Sequence, residues 1–175
     1  MEDFQLSAFR TLFFFSFLTL CVLVAPQNSQ SADTSRAAFS SSVKILSSFS
    51  RIIDLSFYCG MKADSTNHIE YWKIAEKWEE TYGAIANTAR TAVTYMLRKA
   101  GEIASEEDAA PYFRQLRDLV LKGLDTQYQT NQAGIMEQCS TLRAYYPDGL
   151  PASPYVGLKS EYSAILDYLK SEGAY

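Results

Sequence analysis

Between Asp33 and Ala110 the chain contains no proline, and through most of that stretch apolar residues return every three or four positions. Proline would remove a backbone donor and break a helix, so its absence leaves long helices free to form. The three-and-four spacing gives each segment one apolar stripe. Alternation of apolar and polar residues, the mark of a half-buried strand, is nearly missing. Helices packed side by side are therefore the expected fold.

The first helix is predicted from about Ser42 to Met61, where Val43, Leu46, Phe49, Ile52, Ile53, Leu55 and Phe57 supply a broad apolar face. Gly60 and the polar stretch Asp64 to Asn67 end it. A long second helix follows from Thr66 or His68 to Ala100, its seam carried by Trp72, Ala75, Trp78 or Glu79, Tyr82, Ile85, Ala86, Ala89, Val93, Met96 and Leu97. Arg98 and Lys99 complement its C-terminus, and Gly101 supplies the left-handed cap. Ser105 to Asp108 then offers N-cap side chains, and Pro111 is tolerable only in a first turn. The third helix carries its stripe from Phe113 through Leu124 and Cys139 to about Ala144, with a bend or break near Gly134. Residues 146–159 read as an irregular loop, and Ser160 to Lys170 as a short last helix. The fold class expected is all-α: a small bundle of three main helices, two of them long and antiparallel, plus a short C-terminal helix.

Folding that pattern up and down places the cysteines. With turns near Asp64 and near residues 103 and 104, Cys59 lies level with Ile69 and Cys139 level with His68. Both reach the same end of the bundle. A disulfide there would close a loop of about 80 residues and stabilise the fold by roughly 4 to 5 kcal/mol in the chain-entropy model. No Cys-x-x-Cys pair marks a redox catalyst.

Such a bond needs an oxidising compartment, and the N-terminus offers a route to one. The apolar run Thr11 to Ala25 has about 15 residues, short of the roughly 18 to 20 that span a bilayer and close to the core of a signal peptide. The expected division is therefore a signal peptide or N-terminal membrane anchor at 1–32 and a single helical domain at 33–175. The expected location is periplasmic or secreted. The alternative is a domain tethered to the membrane by residues 11–25, because Arg10 is the lone cation ahead of the run and Glu2 and Asp3 offset it. No Asn-x-Ser/Thr sequon is present.

Composition removes several classes of function. Sixteen Lys and Arg stand against 20 Asp and Glu, so the chain lacks the basic footprint of a nucleic-acid binder. One histidine, His68, leaves no Glu-x-x-His pairs for a di-iron bundle and no Cys-x-x-Cys-His for covalent haem. Any Ser-His-Asp or Cys-His mechanism would have to use that histidine, and no nucleophile elbow or phosphate-cradling glycine loop accompanies it. The acidic clusters Glu76, Glu79, Glu80 and Glu106 to Asp108 read as a solvated face and a helix N-terminal charge complement. A protein without enzymatic activity or cofactor is expected.

Two binding features remain. Met61, His68 and Met136 come towards the cysteine end, a thioether and imidazole set that soft metals such as Cu(I) accept. Tyrosine is the enrichment of the mature domain, and Tyr145, Tyr146, Tyr155 and Tyr162 gather where aromatics meet irregular backbone. Tyrosine gives large contact area at low entropy cost, so these four are the expected binding residues. The function expected is protein–protein contact, as an envelope complex component or an inhibitor or immunity-type binder. Its partner would be another protein of the envelope or extracellular space, with membrane contact only through an uncleaved N-terminus. The alternative is a small-ligand or soft-metal carrier using the disulfide end.

Overall fold

A computed structural model describes residues 29–145 and 157–174. By its contacts the chain divides into two units, Met1–Asp33 and Thr34–Tyr175. The apolar run at 11–25 lies outside the described residues, as do Tyr146 and Tyr155.

The described residues form five α-helices: α1 Ser29–Tyr58, α2 His68–Lys99, α3 Ala110–Thr130, α4 Gln132–Arg143 and α5 Lys159–Ser171. The described residues contain no strand, and the all-α bundle expected from periodicity is what forms. None of these helices is long and apolar enough to cross a membrane.

α1 starts well before the expected Ser42. The serine-rich stretch there resembles a helix start, yet the Ser42 hydroxyl donates to the Ala38 carbonyl one turn back at 2.8 Å and is buried. Ser56 does the same to Ile52. Each hydroxyl is satisfied within the helix, so serines pass through the core at no hydrogen-bonding cost. The α-helix stops at Tyr58 and widens into a π turn, Cys59–Ala63, followed by a tighter 3-10 turn, Ser65–Asn67.

α2 ends as its sequence requires. Gly101 sits at φ 75°, its N–H donating to the Arg98 carbonyl and that of Glu102 to the Leu97 carbonyl. This is the paired closure that a left-handed glycine permits. One Asp108 carboxylate oxygen then accepts from the N–H groups of Ala104 and Ser105 and from the Ser105 hydroxyl. Pro111 falls in the first turn of α3. The break expected near Gly134 comes at Asn131, whose backbone leaves the helical region while its side chain accepts from the Gly134 N–H at 3.0 Å. The third segment is therefore two helices.

Two cores result. The main one joins Ile45, Leu46 and Phe49 of α1 to Trp78, Ala86 and Val93 of α2 and to Ile165, Tyr168 and Leu169 of α5. The second lies at the cysteine end and gathers Leu55, Tyr58, Cys59, Tyr71, Ile74, Leu124, Ile135, Cys139 and Leu142. α3 runs alongside the C-terminal half of α1. Arg117 pairs with Asp54 and Asp125 with Lys62, and the identical spacing of 63 residues means the two segments run the same way in fixed register.

Candidate functional site

The cysteine end gathers the molecule's distinctive chemistry. Cys59 and Cys139 stand at disulfide distance, with Cα atoms 5.6 Å apart and a sequence separation of 80. Both are buried. The up-and-down folding of the sequence put them at one end, and that is where they meet.

Beside the bond, Asp64 acts as a hub. Its carboxylate accepts from the Thr66 hydroxyl (3.0 Å), the Asn67 amide (2.9 Å), the Tyr71 hydroxyl (3.0 Å) and the Arg143 guanidinium (2.8 Å). These donors come from the turn, from α2 and from the end of α4. Burial alone would raise the Asp64 pKa, but the hydrogen bonds from Asn67, Thr66 and Tyr71, with the Arg143 charge, outweigh it and hold the carboxyl below its ordinary value. Tyr71 is fully buried. Burial, and then the neighbouring Asp64 charge, push its phenol far above the usual range, so the hydroxyl stays protonated and donates. It also reaches the Cys139 carbonyl at 3.3 Å. One side chain thus ties turn, α2 and α4 together next to the disulfide.

Gly60 makes the turn fit. A Cβ at this position would lie 3.2 Å from the His68 Cα and 3.4 Å from its carbonyl oxygen, so π turn and α2 approach backbone to backbone. His68 follows directly. Its Nδ1 lies 3.0 Å from the Ser65 carbonyl; a carbonyl only accepts, so Nδ1 is the donor of this bond. The His68 ring meets the Trp72 ring edge-on at 5.4 Å.

Outside this polar frame lies an apolar rim. Met61 is 71 % exposed, Ile69 56 % and Trp72 49 %. Ile69 lies one turn before Trp72 on α2, the His68 ring meets Trp72, and Met61 follows Gly60, where the turn approaches the His68 backbone. Trp72 was expected on the seam of the second helix. Tyr71 and Ile74 take the inward positions instead, which rotates Trp72 to the surface.

The other residues singled out by sequence are dispersed. Met136, 38 % exposed, lies on α4 one turn before Cys139. With Met61 and His68 it supplies soft donors near this end, and among the described residues no group of three or more His, Cys, Asp and Glu is arranged to hold a metal ion. Tyr162 is half-buried and packs against the main core, and Tyr145 is half-buried just beyond α4. Sequence reading missed the Asp64 hub, taking Asp64 to Asn67 only as a helix stop. The signal available was the clustering of Asp, Ser, Thr and Asn, side chains that fold back on nearby backbone and on each other.

No protein-family model matches the chain, and no match was found among curated proteins or among solved structures.

Proposed function

We propose that this chain is a non-enzymatic protein of an oxidising compartment, periplasmic or secreted, that works by protein–protein contact through the rim at its stapled end. The observation that carries the reading is the exposure of Met61, Ile69 and Trp72 together, on a surface braced from behind by the cysteine pair and Asp64. Single exposed apolar residues are ordinary, whereas three at one end of the bundle, a tryptophan among them, match the composition of an interface centre. The bracing matters because a rigid patch loses little entropy on binding. The compartment is supported by the cysteine geometry and by the apolar run at 11–25.

The test is capture from the native envelope by the immobilised protein, comparing wild type with the double variant Ile69→Ser/Trp72→Ala. Both residues are exposed, so melting temperature and helical content should stay unchanged. A protein retained by wild type and lost by the variant supports the rim. Equal retention moves the contact elsewhere, first to the tyrosines 145, 146, 155 and 162.

A further inference from the structure

The two cores are nearly separable. Ile52, partly buried, is the neighbour they share, and α4 contributes no side chain to the main one among the described residues. α4 has 12 residues and three buried side chains, Ile135, Cys139 and Leu142. A helix of that length is marginal on its own, and the break at Asn131 separates it from α3. Its remaining ties are polar: the Tyr71 hydroxyl on the Cys139 carbonyl, Arg143 on Asp64 and Glu70, Arg51 on the Gln138 amide oxygen, and Gln132 on the Tyr128 hydroxyl. The Arg143 and Arg51 pairs are partly exposed and hold little against the entropy of a freed segment, which leaves one buried hydrogen bond and three apolar side chains to keep α4 in place.

We infer that the bond between Cys59 and Cys139 is a redox latch: its reduction releases α4 and opens the second core, while the main core stays folded. The reductant is a dithiol. One of its thiolates attacks a cystine sulfur and displaces the other cysteine as thiolate; its second thiol then closes on the mixed disulfide. The protein gains two electrons and two protons as a pair of cysteine thiols, and the dithiol leaves as a cyclic disulfide. Because both cysteines are buried, exchange waits for a transient opening of the end, and once the bond is cut the constraint favouring reclosure is gone. The use of the latch rests on the protein-contact reading: α4 and Asp64 brace the rim, so partner engagement is confined to the oxidised chain.

Amide hydrogen exchange on the whole protein, oxidised and after treatment with dithiothreitol, tests the latch without any partner. Protection in 132–143 and 59–71 should fall by about a hundredfold or more. Protection in 38–49, 86–97 and 160–169 should change by less than about threefold. The variant Cys59→Ala/Cys139→Ala should show the reduced pattern without reductant. Loss of protection in all segments together, or in none, overturns the latch, and so does a double variant protected like the oxidised chain. If the rim variant captures partners normally while the exchange pattern holds, the rim reading fails and the latch stands.

Discussion

Replacing Tyr71 by Phe removes one oxygen from the centre of the stapled end and leaves the ring in place. That ring is fully buried and stays in place, so the void is the size of one oxygen and the hydroxyl's hydrogen bonds are the main loss. The better of them, 3.0 Å to Asp64, goes to a charged acceptor, a class worth roughly 1.5 to 3 kcal/mol. Two facts reduce the figure. Asp64 keeps the Asn67 and Arg143 donors, so its carboxylate is not orphaned, and phenylalanine costs less to bury than tyrosine. The expected loss is about 1 to 2 kcal/mol, or a melting temperature lower by about 3 to 6 °C for a domain of this size. Urea and thermal unfolding of the oxidised protein would measure it. A double-mutant cycle with Asp64→Ala should return a coupling of about 1 kcal/mol. If Tyr71→Phe melts within about 1 °C of wild type, or costs as much without Asp64 as with it, the hub does not work as described.

Asp54 makes a prediction of opposite sign in pH. Its side chain is 1 % exposed, one oxygen is bonded to Arg117 at 2.9 Å, and the other has no hydrogen-bond partner among the described residues. Burial raises its pKa above the ordinary 3.8, and the Arg117 hydrogen bond and charge offset only part of that. The folded chain therefore binds this proton more tightly than the unfolded one. Stability falls as pH rises from about 4 to the folded pKa and is level above it. Asp54→Asn should remove that decline in urea midpoints measured from pH 4 to 7, and a difference from wild type independent of pH would refute it. Asp64 works the other way, its contribution present above the unfolded pKa and lost as pH falls through the depressed folded value. Gly60→Ala places a methyl group against His68 backbone atoms that cannot rotate away, and should cost about 1 to 3 kcal/mol in urea unfolding of the oxidised protein. An unchanged midpoint would show the turn has slack.

Periodicity and stop signals made the bundle legible because helix formation is decided locally. Gly101, Asp108 and Pro111 do in space what their types announce. The cysteine pairing was legible for a related reason: once helix lengths and turns are known, the heights of Cys59 and Cys139 follow. What escaped sequence depends on rotation and on distant partners. Trp72 and Tyr71 are adjacent aromatics, and the choice of which one faces inward was made by Asp64 and Cys139, residues in other segments. The expected start of α1 near Ser42 rests on an apolar face counted from Val43, and a serine that bonds back to the preceding turn lets the helix extend upstream without changing that face.

The order in which this chain emerges during synthesis or export adds a consequence. The main core needs α5: Ile165, Tyr168 and Leu169 fill it, and Glu161 bonds to Lys44, a residue 117 positions earlier. The cysteine end is complete once Arg143 has emerged. A chain delivered from its N-terminus therefore has the parts of its stapled end first, with both sulfurs present, while the groove between α1 and α2 waits for the last helix. Oxidation can then precede completion of the fold, fixing the register of α1 against α4 before α5 arrives to fill that groove.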